Sequence, residues 1–309
     1  MNLKNQYISK NILAITIAMA FTAPVNAAGN ASDLAKASQN PISTMISLPF
    51  ENNTYGNSGP DNKTMNVLNV KPVLPVKINE DWNLINRAIV PIISQPGADG
   101  IFESGGTVAD LVSSSNSDVH VGHLVIPAHD GTSTDRKNGV GDTTYQGFFS
   151  PNKPIKMGKE TNVSWGAGVQ VQIPTHSNDR LGTSRWAAGP AAVVLAMDKH
   201  WVYGGVLSQI WDITDNKSNE DISAMTFQPF VNYNFGKGWY VSSAPVITAN
   251  WKAKGSDQWT IPLGGGVGRV VHIGKQAVNF KAAVYGNVAK PENGPDYNVQ
   301  LSATFLFPK

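Results

Sequence analysis

Trp186-Ala187-Ala188-Gly189-Pro190-Ala191-Ala192-Val193-Val194-Leu195-Ala196-Met197 is the longest apolar run beyond the first 28 residues, twelve long and flanked by Arg185 and Asp198. As a helix it would rise about 18 Å, too little for a hydrocarbon core of roughly 30 Å. As a strand tilted near 45° it covers about 28 Å, which is enough. A chain that crosses a bilayer with such segments has to cross as a closed β-barrel, because every backbone polar group needs a partner there.

The pattern extends outward from this run. In the last strand Tyr297, Val299, Leu301, Ala303, Phe305 and Phe307 alternate with Asn298, Gln300, Ser302 and Thr304, giving one apolar and one polar face. Asn279, Lys281, Ala283 and Tyr285 alternate with Val278, Phe280, Ala282 and Val284, and residues 163–173 and 227–235 repeat the period of two. A soluble sandwich alternates as well, so the strand count and the connections decide. Strands are expected near 42–50, 64–76, 82–93, 139–150, 163–173, 185–197, 201–213, 224–235, 239–251, 258–272, 277–288 and 297–307. Short turns at 79–81, 198–200, 236–238 and 274–276 alternate with longer polar segments at 51–63, 94–138, 174–184, 214–223, 252–257 and 289–296. Tight turns at one end and long loops at the other are the layout of bacterial outer-membrane barrels. The expected fold is therefore all-β: a transmembrane, antiparallel, up-and-down barrel of about 12 strands, with short periplasmic turns and long extracellular loops.

Tryptophan placement agrees. Trp82, Trp165, Trp201 and Trp239 fall at the short-turn ends, and Trp186, Trp211, Trp251 and Trp259 at the long-loop ends. Two aromatic girdles one membrane thickness apart follow from the interfacial preference of the indole ring.

Residues 1–28 are expected to be a cleaved signal peptide. Lys4 and Lys10 form its basic start, Ile12 to Phe21 its apolar core, and Ala27 or Ala28 its cleavage site. Removing its two lysines from the 24 basic residues of the chain leaves 22, equal to the 22 acidic ones. A neutral chain has no excess charge to displace phosphate counterions, so nucleic acid is not an expected partner. Of 309 residues none is Cys, which excludes a disulfide scaffold, a zinc ribbon and a thiol nucleophile. Residues 29–309 then form one outer-membrane barrel, and no cofactor is expected.

The stretch Asn79 to Ile92 (NEDWNLINRAIVPI), with Gly139-Val140-Gly141-Asp142, Trp186 to Pro190 and Gln228-Pro229-Phe230, resembles a family of outer-membrane transporters. That family is named after the meta-pathway of phenol degradation, and its members are sometimes mislabelled neuromedin U. The similarity runs from Gln39 to Lys309. It implies an outer-membrane β-barrel with a transport role, and neither a substrate nor catalytic residues. The loop 94–138 is longer than the family's usual one.

Several motifs invite chemistry. Gly264 to Arg269 (GGGVGR) lacks the G-x-G-x-x-G spacing and a following helix, and fits close strand packing better than a phosphate loop. His120, His123 and His129, with Asp118 and Asp130, crowd the long loop without a recognised metal spacing, so no metal site is assigned. His176-Ser177 raises the question of a hydrolase, as in outer-membrane phospholipases, but adjacent strand residues point to opposite faces. No catalytic residues are assigned and an enzyme is not expected.

The lumen is the expected functional surface. The polar residues on the inward-assigned faces are Asn69, Lys71, Arg87, Asp142, Gln170, Gln172, Asn232, Asn234, Arg269, Asn279 and Lys281. Twelve strands lie between a filled eight-stranded barrel and an open porin, so a narrow passage is expected. Its basic lining would favour anions. The leading function is passive passage of a small solute, with aromatic and anionic solutes among the candidates. The alternatives are a sealed structural or surface-interaction barrel and an outer-membrane hydrolase. The partners are the outer-membrane bilayer and the barrel assembly machinery, met through the C-terminal strand 297–307. On this assignment arginine should be tolerated at Gln170 and costly at Val169 or Leu301.

Overall fold

A computed structural model describes residues 29–308 apart from 59–61, 98–118, 122–123, 127–134, 215–221 and 254. Residues 1–28, the expected signal peptide, lie outside these residues. Twelve strands form one closed antiparallel barrel. They are β1 (Ile46–Ser58), β2 (Lys63–Val70 and Val73–Lys77), β3 (Trp82–Gln95), β4 (Lys137–Val140 and Thr143–Pro151), β5 (Thr161–Ile173) and β6 (Ala187–Met197). The circuit continues with β7 (Trp201–Asp212), β8 (Ser223–Gly236), β9 (Trp239–Ser243 and Ile247–Asn250), β10 (Trp259–Ile273), β11 (Gln276–Ala289) and β12 (Tyr297–Phe307). Neighbours in sequence pair with each other, and β12 closes on β1 from Ile46↔Phe307 to Gly56↔Tyr297. No sheet edge faces lipid, which the hydrocarbon environment requires. Among the described residues no helix is long and apolar enough to cross a membrane.

The expected strands are all present, with one shift that matters. The first strand runs over 46–58 rather than 42–50, so the polar residues Glu51 to Thr54 belong to the wall and not to a loop. Their polarity is the reason the sequence pattern was cut short: Glu51 and Asn53 point into the lumen, and on the other face Asn66 bonds the side chains of Asn52 and Thr54.

The outer wall is apolar. Val169, Val194, Leu207, Val241, Val267, Val284 and Leu301 are exposed, which in water would be a large liability and in lipid is the binding surface. Trp82 and Trp165 stack edge-to-face at one rim, and Trp251 and Trp259 at the other. Seven of the eight girdle tryptophans are exposed and Trp259 is partly buried. The glycine run does serve close packing: a Cβ on Gly266 would meet Ala282 O at 2.0 Å, and the run continues as strand, not helix.

Inside, the barrel is not uniformly polar. Ile85, Phe148, Ala191, Val193, Leu195, Val202, Val206 and Phe230 form an apolar cluster, and Ile42 from the N-terminal segment packs into it. That segment begins with a helix, α1 (Ala31–Ser38), capped by Asn30, whose Oδ1 accepts from Ser32 N at 3.0 Å. Leu34 and Ala35 of α1 are buried against Tyr240, Val270, Ala277 and Leu306. Lys36 Nζ donates to the carbonyls of Asp198 and Lys199 in the β6–β7 turn. The helix therefore sits inside the periplasmic mouth of the barrel. Asn30 with Asp33 three residues on, followed by Leu34-Ala35-Lys36-Ala37, is the signal that points to this helix.

Candidate functional site: the lumen cavity

Three strands break midway, and each break turns residues inward. Lys71-Pro72 interrupts β2, Gly141-Asp142 interrupts β4, and Ala244-Pro245-Val246 interrupts β9. Proline lacks the N–H that a ladder needs, and an irregular strand re-aims its side chains. The freed backbone groups stay bonded: Lys71 N donates to Pro49 O at 2.9 Å, and Gly141 N to Pro91 O at 2.9 Å. Lys71, Asp142, Ala244, Pro245 and Val246 all line one cavity of about 60 Å³, with Glu51, Asn53, Tyr55, Asn69, Ile89, Pro91, Pro262, Tyr285, Asn298 and Gln300. The space amounts to a few water molecules, so the lumen is constricted here.

The cavity has two chemically different walls. On β1, β2 and β12 it is polar: Lys71 Nζ bonds Glu51 Oε1 at 2.5 Å, and the carboxamides of Asn298 and Gln300 both donate to Asn53 Oδ1 at 3.0 and 3.1 Å. The rest of the lining mixes carbon from Ile89, Pro91, Pro245, Val246 and Pro262 with the polar side chains of Thr144, Gln228 and Thr260.

Above the outer girdle, Asp142 fixes the β5–β6 loop. Its carboxylate accepts from Thr183 N at 2.6 Å and from His176 N at 3.3 Å, and meets His176 Nδ1 at 2.6 Å. A Cβ on Gly182 would lie 2.5 Å from Asp142 Oδ1, so glycine lets the loop close on the carboxylate. His176 Nε2 faces Asp179 at 3.8 Å, and Ser177 Oγ is engaged by the backbone of Val140 at 3.1 Å. In this geometry the His176-Ser177 pair braces the loop, His176 on Asp142 and Ser177 on the backbone of Val140.

The sequence-assigned lumen residues fall into groups. Asn69, Lys71 and Asp142 line the cavity, and Arg87 on β3 and Lys281 on β11 are half-buried outside its lining. Gln170 accepts from Gln146 Nε2 at 2.7 Å, and Gln172 donates to Thr183 Oγ1 at 2.9 Å. Asn232 donates to Val202 O at 3.1 Å. Asn234 and Gln39 exchange carboxamide bonds at 3.0 and 3.1 Å, and Asn279 donates to Ser38 Oγ at 3.0 Å. Asn234 and Asn279 thus hold the N-terminal segment. Arg269 is a correction: it is exposed, with its guanidinium 4.9 Å from the Trp239 ring, because Gly268 and Val270 take the inward positions of β10. Glu51, Asn53, Asn298 and Gln300 line the cavity without having been assigned to it from the sequence. His123 and His129 lie outside the described residues, and His120 falls on a short strand, Val119–Val121, paired with Leu124–Ile126. Among the described residues no His/Cys/Asp/Glu group could hold a metal.

No family model and no curated protein matches the chain. Among solved structures it is similar to the COG4313 outer membrane channel from Pseudomonas putida F1, at 16% identity and a TM-score of 0.59, covering 87% of this chain and 97% of that one. Outer membrane phospholipase A from Escherichia coli aligns at 12% identity over 91% of this chain and 99% of its own, with a TM-score of 0.42. The CymD monoaromatic hydrocarbon channel aligns at 9% identity over 92% and 94%, with a TM-score of 0.40. The first likeness establishes the fold, a transmembrane barrel of outer-membrane type. The other two are too distant to bear on this chain.

Proposed function

We propose that the protein is a narrow outer-membrane channel through which a small solute moves passively down its gradient, with no enzymatic step. The observation that carries this reading is the charged, half-polar cavity inside a closed barrel. Twelve strands enclose more room than the eight whose interior is just filled by side chains. The name of the Pseudomonas relative, an outer membrane channel, supports the reading, as does the resemblance of residues 39–309 to the transporter family named after the meta-pathway of phenol degradation. The barrel assembly machinery would act on β12, which closes the circuit on β1. Single-channel recording in a planar bilayer tests the proposal: small, discrete conductance steps are expected, and their absence would overturn it.

A sealed barrel is the second reading. It rests on α1 and the apolar cluster around Ile42, which together fill the periplasmic half of the lumen. The intact protein separates the two readings: a sealed barrel stays silent in bilayer recordings, whereas a channel shows discrete conductance steps.

A further inference from the structure

A hydrogen-bond relay on the polar wall of the cavity ends on two atoms without a partner. Lys71 Nζ donates to Glu51 Oε1 at 2.5 Å, and Asn53 Nδ2 donates to the same oxygen at 3.2 Å. An ionised carboxylate only accepts, so the Asn53 carboxamide has to turn its NH2 group to Glu51 and its oxygen away. Asn298 and Gln300 then have to meet that oxygen with their own NH2 groups, and both do, at 3.0 and 3.1 Å. The charged pair at the start of the relay thus imposes its direction. It leaves Asn298 Oδ1 and Gln300 Oε1 buried with no hydrogen bond among the described residues. Gln300 is 8% exposed, and both residues line the cavity. Buried polar atoms without a partner are costly, and native proteins keep few of them.

The register sets a donor beside these acceptors. Asn298 on β12 pairs with Tyr285 on β11, and Gln300 pairs with Ala283, whose side chain has no polar atom to offer. Tyr285 lines the cavity too. Its hydroxyl oxygen accepts from Ala244 N at 3.2 Å, and among the described residues its proton has no acceptor. We propose that Asn298 Oδ1, Gln300 Oε1 and the Tyr285 hydroxyl form a binding subsite for a small neutral solute that both donates and accepts hydrogen bonds, of which a short diol is the simplest. The inference rests on the channel reading and names the solute class for it. An anion has no proton to give to two carbonyl oxygens, and it would meet the carboxylates of Glu51 and Asp142 in the same cavity. An ammonium group has no lone pair for the Tyr285 proton, and it would meet Lys71. A hydroxyl carries one donor and two lone pairs, and so serves both needs. Carbon from Ile89, Pro91 and Pro262 covers the rest of such a solute, and the volume of about 60 Å³ restricts it to a few heavy atoms.

The test uses the full chain purified in an amine-oxide detergent, whose head group carries no hydroxyl to compete. The probe is 13C-labelled propane-1,2-diol. Its control is methyl acetate, which has the same carbon and oxygen atoms but no O–H. Line broadening is expected for the diol, and not for the ester or for propylammonium. Asn298→Leu with Gln300→Met keeps the side-chain shapes and removes both acceptors, and should weaken diol binding about tenfold or more. Tyr285→Phe keeps the ring and removes the donor, and should weaken binding several-fold. The first variant disturbs the relay and the second only the Ala244 amide, so at least one is expected to retain the heat-resistant folded band. No broadening of the diol would mean that the oxygens hold ordered water only, and would overturn the site. Equal broadening of diol and ester, stronger broadening of propylammonium, or unchanged diol affinity in a folded variant would overturn it as well. A protein that conducts and gives any of these results loses the site and keeps the channel reading. One that binds the diol and never conducts keeps the site and loses the channel.

Discussion

Val284 and Val288 lie on the same face of β11, 55% and 65% exposed, but at different depths in the membrane. Val284 is mid-strand and Val288 is next to the outer rim. Arginine at Val284 is expected to cost about 2–4 kcal/mol and at Val288 about 0–1 kcal/mol, following the depth dependence of charge burial in lipid. Reversible denaturant unfolding into vesicles reads both values, and equal costs would mean that the register or the tilt is wrong. Gln170 shows why lumen positions cannot be treated as water. It is 3% exposed and bonded to Gln146, which pairs across the ladder with Arg87. Gln170→Arg would bury a second cation beside the first, so the tolerance expected from alternation alone is replaced by a clear loss of stability, on the scale of an unpaired buried charge.

At the level of elements, α1 and the β11–β12 loop each make a prediction. Removal of residues 29–41 takes away α1, its Lys36 contacts to the β6–β7 turn and the Gln39–Asn234 pair. Ladder pairing is untouched, so the barrel is expected to fold and its unitary conductance to rise several-fold in bilayer recordings. An unchanged conductance would place the constriction at the cavity and not at the helix. In the β11–β12 loop, Asp296 accepts from Asn57 at 2.7 Å and pairs with Lys290 at 3.0 Å. These contacts hold its carboxyl below the ordinary range, Asn57 first and Lys290 next. A depressed carboxyl contributes above its unfolded pKa of about 4 and loses that contribution as pH falls through the lower folded value. Protease nicking within 290–296 is therefore expected to stay slow from pH 8 to 5 and to accelerate below pH 4, with Asp296→Asn nicked at one rate throughout.

For the whole molecule, closure is the property that matters. β12 pairs with β1 over eleven residue pairs, and this seam joins the first and last strands of the circuit. A folded barrel without an open edge resists detergent. The unheated protein is accordingly expected to run anomalously on a denaturing gel and to be rich in β-structure in detergent. Deleting 297–307 should abolish the fast band, whereas loss of α1 should not. Retention of the band without β12 would show that closure does not need this seam.

Alternation, strand length and tryptophan placement are local, and they determined the barrel, its strand number, its orientation and its lipid face. The sequence alone gave the inward parity of Asn69, Gln170, Asn279 and Lys281, because a period of two assigns a face without knowledge of the neighbours. It misplaced Arg269, where glycines on both sides of the strand erase the polarity contrast that parity needs. It stopped β1 at Phe50, since Glu51-Asn52-Asn53-Thr54 reads as a loop until strands β2 and β12 are seen to pair with it. That one strand end added Glu51, paired with Lys71, to what had read as a plain basic lining. The inward strand breaks, the α1 helix in the periplasmic mouth and the Asp142–His176 brace were decided by tertiary structure. Each depends on residues more than 20 positions apart meeting across a curved wall, and a periodic pattern carries no information about which rows of a closed cylinder face one another.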